Sequence, residues 1–284
     1  MSIVVTGATG HLGRHVVEQL LEKVPADQIT AVVRTPEKAA DFAARGVKIA
    51  VADYNAPETF DGLFAAGDKV LLISGNEFDK GRVGQHQVVI DAAKAAGVAL
   101  LAYTSAPGSL TAALGDDHRA TEDVLLASGL PYTLLRNGWY HENYTENLAP
   151  VLEHNAVVAA AGEGKVASAA RADYAAAAVG VLTGEGHENK TYELSGDAAW
   201  SFAEYAAELS AQTGKEIAYS SVPADTLIGI LTGAGLPGPL AAILAGVDQS
   251  IEKGELAFVN GELSRLAGRP TAPLSEAITA ALKG

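Results

Sequence analysis

The sequence predicts an α/β protein with a doubly wound parallel sheet. Short apolar runs alternate with longer helical patterns through the first half of the chain, and the runs are apolar at successive positions. That pattern is typical of parallel strands that helices cover on both faces, and repeated βαβ units build such a sheet. The predicted strands are residues 3–6, 29–34, 47–52, 69–74, 99–104 and 132–136. The helices predicted between them are residues 12–23, 36–44, 57–64, 83–96 and 117–127.

The pattern changes after Asn137. Strands are expected at 156–160 and 191–194, with a helix at 174–182 between them, and we expect these elements to complete the sheet of a first domain at 1–155. From residue 201 onward the sequence is mostly helical, and Gly and Pro interrupt it at 233–239 and 269–273. Residues 198–284 are therefore predicted to form a smaller, mostly helical C-terminal lobe.

The composition excludes several classes of site and partner. The 284 residues carry a formal net charge of −14 and contain no cysteine, which excludes disulfides, thiolate metal sites and a catalytic thiol. The acidic balance argues against a general nucleic-acid binder, which needs a basic patch. The apolar stretches fall short of a membrane span, and the first residues do not resemble a signal peptide. We expect a cytoplasmic protein with no nucleic-acid or membrane partner.

A glycine-rich segment follows the first predicted strand and opens the first predicted helix. It reads TGATGHLG over residues 6–13. In such a loop Gly7 suits a tight turn, Gly10 lets a pyrophosphate approach the backbone, and Gly13 lets the helix pack closely on the sheet. The first amides of the helix and its dipole bind phosphate. The segment predicts a dinucleotide site, with a glycine-rich turn that binds nothing as the alternative.

The end of the second strand indicates which dinucleotide binds. NAD sites carry Asp or Glu there to bind the ribose 2′-hydroxyl, whereas this strand ends with Arg34, and Lys38 follows one helical turn later. A guanidinium is well suited to a 2′-phosphate, so the sequence predicts NADPH. A solvated arginine is the alternative. Asp53 and Tyr54 follow the third strand, where such folds contact adenine, although Asp is also a common turn residue.

The chain lacks the Tyr-x-x-x-Lys pair with which most short-chain dehydrogenases transfer hydride. No tyrosine is followed by a lysine four residues later. Alcohol dehydrogenase and sugar-nucleotide epimerase chemistry is therefore not expected. An acceptor that takes hydride without a strong protein acid fits better. Quinones are such acceptors, because the hydroquinone anion is weakly basic and water can supply the proton.

Several segments together resemble a known family. They include TGATGHLGRHV, AVVRTPEKA, DDHRATED, YTLLRNGWYHENY and YELSGD. The chain resembles the NmrA-like atypical short-chain dehydrogenase/reductases, above all the bacterial NADPH:quinone oxidoreductases among them, with triphenylmethane reductases close by. The resemblance covers almost the whole chain and is looser in the C-terminal lobe. It implies a two-domain monomer or homodimer that binds NADPH in a Rossmann domain, transfers hydride without flavin, and has its C-terminal lobe on the substrate side.

The resemblance also implies roles for individual residues. The pyrophosphate would be held by Gly7, Thr9, Gly10, His11 and Leu12. Arg34 would bind the 2′-phosphate, and Ser74 and Gly75 would lie beside the ribose. Close relatives have a run of serines where this chain has Gly75-Asn76, which affects the shape of the acceptor pocket. The nicotinamide and one wall of that pocket would be contacted by Asn137, Trp139, Tyr140 and Glu142.

Two residues are candidates for catalysis. Tyr140 would stack on an aromatic acceptor or donate a hydrogen bond to its oxygen, and packing between the lobes is the alternative for both Tyr140 and Trp139. His118 lies near the start of the helix that usually bears the Tyr-Lys pair, so it is a candidate acid, with a surface histidine as the alternative. No spacing of His, Asp and Glu predicts a metal site.

The function predicted from these observations is NADPH-dependent reduction of a quinone or a similar flat aromatic molecule. The alternative is a non-enzymatic NADP(H) sensor of the NmrA type, since such sensors also lack the Tyr-Lys pair. The segment around Trp139 and Tyr140 favours the enzyme.

Overall fold

The computed structural model describes residues 2–76 and 81–283. Its strands are β1 (Ile3–Val5), β2 (Ile29–Val33), β3 (Lys48–Val51), β4 (Lys69–Leu72), β5 (Leu100–Ser105), β6 (Tyr132–Asn137), β7 (Ala156–Ala159), β8 (Lys165–Val166), β9 (Lys190–Leu194), β10 (Trp200–Ser201) and β11 (Ala218–Ser221). Its α-helices are α1 (His11–Leu20), α2 (Ala40–Ala44), α3 (Arg82–Ala96), α4 (Leu114–Ser128), α5 (Glu142–Thr145), α6 (Ala149–His154), α7 (Arg171–Thr183), α8 (Phe202–Thr213), α9 (Ala224–Gly233), α10 (Gly238–Glu252), α11 (Glu262–Ala267) and α12 (Leu274–Lys283).

One parallel sheet organises the first two thirds of the chain. Within the described residues it has seven strands, in the order β3-β2-β1-β4-β5-β6-β9. The chain moves outward in one direction from β1 to β3 and in the other from β4 to β9, so a crevice opens between the carboxyl ends of β1 and β4. The predicted doubly wound α/β fold is confirmed.

The sheet is buried on both faces, as its apolar strands predict. On one face α1 and α7 cover it, with Val16, Leu20 and Tyr174 among the buried residues. On the other face α3 and α4 contribute buried residues such as Ile90 and Leu125. Because both faces are covered, almost every position of β2 and β5 is buried.

A second core lies in the C-terminal part of the chain. It contains the rings of Trp200, Phe202 and Tyr205 and includes apolar residues of α8, α10 and α12. Two small sheets border it, a parallel pair of β7 with β11 and an antiparallel pair of β8 with β10. The prediction of a mostly helical C-terminal part is confirmed.

Two details of the sequence prediction are wrong. Strand β7 forms as expected, but it pairs with β11, and β9 takes the sheet edge beside β6. The domain division at residue 198 stays a prediction; beyond it, α11 packs against α7 and buries Leu263 in the core of the large sheet. The helix predicted at 57–64 is only the 3-10 turn Pro57–Phe60, and Gly62 follows with a φ of +70°.

We predict that Gly13→Ala strongly destabilises the protein. A Cβ at Gly13 would lie 2.2 Å from the carbonyl oxygen of Gly7 and 2.8 Å from the Cα of Ala8, and backbone atoms cannot yield cheaply. Overpacking of this kind costs about 1–3 kcal/mol of unfolding free energy, more than alanine gains in a helix. The matched control is Gly84→Ala in α3, where a Cβ meets nothing within 4 Å. Urea unfolding should show a lower free energy of unfolding for Gly13→Ala and an unchanged one for Gly84→Ala. Equal free energies for the two variants would contradict this account.

Candidate functional site

The glycine loop forms the turn that the sequence predicts. Gly7 has a φ of +62°, in the left-handed region that glycine favours, and its carbonyl accepts a hydrogen bond from the Gly10 amide at 2.9 Å. Helix α1 then begins at His11, so its first amides point out of the helix end without a helical carbonyl to bond. The close contact between Gly13 and the Gly7 carbonyl holds this helix end against β1.

A cleft of about 400 Å³ opens at the carboxyl ends of the strands beside this loop. Its walls come from the glycine loop and from the segments that follow β2, β3 and β4. The lining includes most of the predicted cofactor residues, namely Gly7, Thr9, Gly10, His11, Leu12, Arg34, Asp53, Tyr54, Ser74 and Gly75. The topology therefore brings together residues that are up to 68 positions apart in the sequence (Gly7 to Gly75).

Four residues with predicted roles line the side of the cleft where the sequence places the adenosine. Arg34 and Lys38 both line the cleft, in the positions expected for a 2′-phosphate site. The Asp53 carboxylate accepts a hydrogen bond from the Asn55 amide at 2.9 Å, so it forms the local turn that was its alternative role. The Tyr54 hydroxyl donates to the Ile73 carbonyl at 2.9 Å, and burial raises the pKa of that hydroxyl.

The segment after β6 lies outside the residues that line this cleft. Asn137 is buried and its Nδ2 donates to the Tyr140 hydroxyl at 3.3 Å, while its Oδ1 has no hydrogen-bond partner among the described residues. Trp139 packs against the C-terminal core. The Tyr140 ring makes a T-shaped contact with the Tyr174 ring, at a centroid distance of 5.2 Å, and the Arg171 guanidinium lies over it. Burial raises the pKa of Tyr140, so its hydroxyl keeps its proton at neutral pH.

Glu142 has a structural role. Its two carboxylate oxygens accept hydrogen bonds from the Arg171 amide at 2.9 and 3.1 Å, at the start of α7. The Arg171 guanidinium pairs with Glu146 and lies 5.4 Å above the Tyr140 ring. His11 faces the same Glu146 at 3.4 Å. These contacts connect the glycine loop with the segment after β6. The contact of Glu142 with a cofactor stays a prediction.

His118 differs from its predicted environment. Helix α4 begins at Leu114, so His118 lies in its second turn and is buried. Its Nδ1 bonds the Tyr103 hydroxyl at 2.8 Å and its Nε2 bonds Arg82 at 3.0 Å. Burial and the charge of Arg82 lower the pKa of His118 to about 3. A neutral ring with both nitrogens engaged, away from the cleft lining, does not favour the role of general acid.

Within residues 2–76 and 81–283, no helix combines the length and apolar character needed to cross a membrane. Across the same residues, no group of three or more His, Asp or Glu side chains is arranged to hold a metal ion.

Known proteins resemble the chain over its full length. A model of the NAD(P)H-binding family matches residues 7–185. The chain belongs to the NAD(P)H-binding family. Quinone oxidoreductase 2 of Escherichia coli (strain K12) is 47% identical over 279 residues, which are 98% of this chain and 97% of that protein. The resemblance to the NmrA-like atypical short-chain reductases is confirmed by these matches and by the structural neighbours.

Solved structures of this kind superpose closely. The E. coli NADPH-dependent quinone oxidoreductase complexed with NADPH has a TM-score of 0.95 and 46% identity, and the match covers 99% of each chain. The Citrobacter sp. triphenylmethane reductase complexed with NADP(H) has a TM-score of 0.93 and 42% identity, with 99% of this chain and 100% of that chain covered. The similarity to these NADPH-binding reductases therefore covers the C-terminal part of the fold as well as the parallel sheet.

Sequence reasoning missed the residues that shape the cleft from behind. Asn55 and Gln85 line the cleft but follow no motif. Thr6 and Thr104 hold the backbone after β4, and a polar residue at the end of an apolar strand was the signal that could have indicated them. His86 lies on α3 and has no local signal, because only the packing of α3 on the sheet brings it to the cleft.

We predict that the free energy of unfolding falls as the pH is lowered below about 6.5. Burial, with the charge of Arg82, lowers the pKa values of both His86 and His118 to about 3. Below pH 6.5 both imidazoles become protonated in the unfolded chain, whereas in the folded protein they stay neutral down to about pH 3. The free energy of unfolding therefore decreases across that interval. Each imidazole contributes up to about 1.4 kcal/mol per pH unit. Urea unfolding at pH 7.5 and 5.5 measures this loss, and His118→Gln should reduce it; an unchanged pH dependence in that variant would contradict the assignment.

Proposed function

We propose that this protein is an NADPH-dependent reductase that transfers hydride directly to a quinone or a similar flat aromatic acceptor, without flavin. The observation that carries the proposal is the cleft itself, where Arg34 and Lys38 stand at the end of β2 beside the glycine loop. It is supported by the full-length similarity to an NADPH-dependent quinone oxidoreductase. Location in the cytoplasm, expected from the composition, and a monomeric or homodimeric state, which the family resemblance implies, belong to the same proposal.

The cleft residues fit a dinucleotide. A Cβ at Gly10 would lie 3.2 Å from the Gly7 carbonyl and would occupy the cradle in front of the first amides of α1. Those amides, with the helix dipole, bind the pyrophosphate. The guanidinium of Arg34 binds the 2′-phosphate through charge-assisted hydrogen bonds. Asn137 lies outside the cleft lining, although its buried Oδ1 has no partner among the described residues, and its contact with the nicotinamide carboxamide stays a prediction.

NADPH bound in this cleft would supply the hydride, and the chain's own residues would have only to orient the acceptor and exclude water. Tyr140 supplies an aromatic edge and a hydroxyl that stays protonated because burial raises its pKa. The hydroxyl donates a hydrogen bond to the acceptor oxygen, where negative charge develops. The hydroquinone anion is a weak base, so the final proton comes from water and the Tyr-Lys pair of other short-chain enzymes is not needed.

We predict that Arg34→Ala removes the preference for NADPH over NADH. Charge-assisted hydrogen bonds contribute about 1.5–3 kcal/mol each, so kcat/KM for NADPH should fall about 10- to 100-fold while the value for NADH changes little. The matched control is Arg45→Ala, which removes an arginine that pairs with Glu18 outside the cleft lining. The assay is the loss of nicotinamide absorbance with a simple quinone. Tight NADPH binding without turnover on any quinone or dye would contradict the enzyme and favour an NADP(H) sensor.

We predict that Tyr140→Phe lowers kcat for quinones by no more than about tenfold. Loss of a true general acid costs about 10²- to 10⁴-fold, whereas loss of a hydrogen bond to a weakly basic oxygen costs far less. Tyr219→Phe is the control, because its hydroxyl bonds the Gly162 carbonyl at 2.9 Å in the C-terminal part. A loss of more than 100-fold with a shifted pH profile would make Tyr140 the proton donor instead.

A further inference from the structure

The backbone after β4 leaves the sheet before it reaches the cleft. The pairing of β4 with its neighbours ends at Leu71 opposite Val5 and at Leu72 opposite Tyr103. Residues 73–76 continue along the cleft wall. Beyond this point the amides of Ile73, Ser74 and Gly75 are no longer part of the pairing with β1 and β5. A buried amide without an acceptor costs about as much as a lost hydrogen bond.

Three side chains take the place of the missing strand partners. The Ile73 amide donates to Thr6 Oγ1 at 3.1 Å, and the Ser74 amide donates to Thr104 Oγ1 at 2.9 Å. The Gly75 amide donates to the Nε2 of His86 at 2.9 Å. The acceptors come from the residue after β1, from β5 and from α3, so three separate parts of the fold hold three consecutive amides. This arrangement fixes a loop that is not in the sheet.

The hydrogen bonds determine the tautomer of His86. The Gly75 amide can only donate, so Nε2 accepts and the proton lies on Nδ1. Nδ1 donates to Thr121 Oγ1 at 2.9 Å, and that hydroxyl donates to the Asp117 carbonyl at 2.8 Å. His86 is fully buried, and burial with the nearby charge of Arg82 lowers its pKa to about 3. The ring is therefore neutral at physiological pH and keeps its lone pair for Gly75.

Gly75 lies in the cleft wall and packs directly against His86 and its neighbours on α3. A Cβ there would lie 3.1 Å from Gln85 Oε1 and 3.8 Å from both His86 Nε2 and a Tyr54 ring carbon, so the loop rests directly on α3. We infer that His86 is a positioning residue that sets the shape of the cleft at Ser74 and Gly75, and that NADPH affinity depends on its acceptor nitrogen. The inference rests on the proposed function, in that this cleft holds NADPH.

Two substitutions at His86 separate the acceptor from the rest of the ring. His86→Gln carries its amide oxygen to about the position of Nε2 and keeps an acceptor for Gly75, but loses the bond to Thr121. His86→Asn ends near the position of Nδ1, so it keeps a partner for Thr121 and leaves Gly75 without one. Both remove a buried ring, so both lower stability. His187→Asn is a further control, because that ring bonds the Tyr192 hydroxyl at 2.9 Å outside the cleft lining.

The test measures NADPH affinity by nicotinamide fluorescence and the hydrogen exchange of the Gly75 amide by NMR in the cofactor-free protein. We expect His86→Asn to raise the Kd for NADPH about 3- to 10-fold and to speed exchange at Gly75, as the loss of one hydrogen bond implies. His86→Gln and His187→Asn should stay within about twofold of the wild type in both measurements.

Two other outcomes have distinct meanings. Equal changes in the Asn and Gln variants, or faster exchange at Gly75 with an unchanged Kd, would overturn the inference and leave the proposed function intact. Wild-type protein that neither binds nor oxidises NADPH would overturn the proposed function. The exchange rates would then still test whether His86 holds the Gly75 amide. An amide that stays protected in His86→Asn would show that it does not.

Discussion

The contact between helix α1 and the turn before it is the constraint on which the site depends. With no side chain at Gly13, the helix approaches the Gly7 carbonyl more closely than any other residue would permit. This contact fixes the direction of the first helical amides relative to β1. Since β1 is the strand at which the sheet order reverses, the same contact directs the helix dipole into the crevice between β1 and β4.

The opposite wall of the cleft depends on a different principle. Where a chain leaves a parallel sheet at the end of its strand, its next backbone amides lose their partners in the sheet. Here polar side chains at the ends of β1 and β5, together with His86, satisfy those amides. The wall is therefore held by side chains rather than by the sheet ladder. Its shape depends on residues that never touch a ligand, and a substitution on α3 can alter the cleft.

The aromatic segment after β6 is the third part of the site, in a chain that lacks the Tyr-Lys pair. Tyr140 lies below a guanidinium and beside Tyr174, in surroundings that keep its hydroxyl protonated. Arg171 forms an ion pair with Glu146, and His11 Nδ1 lies 3.4 Å from the same carboxylate, so the segment after β6 lies close to the glycine loop. In the proposed function, this segment orients a flat acceptor and leaves most of the chemistry to the cofactor.

The sequence by itself determined the parallel sheet, the glycine loop, the choice of Arg34 over an acid, and the family. These are local features, because a buried parallel strand, a glycine spacing and a strand-end residue each have a physical cause within a few positions. Tertiary structure decided the rest. It paired β7 with β11, buried His118 in the core, and brought His86 against Gly75. Partners far apart in sequence leave no periodic signal, since their meeting depends on how helices pack on the sheet.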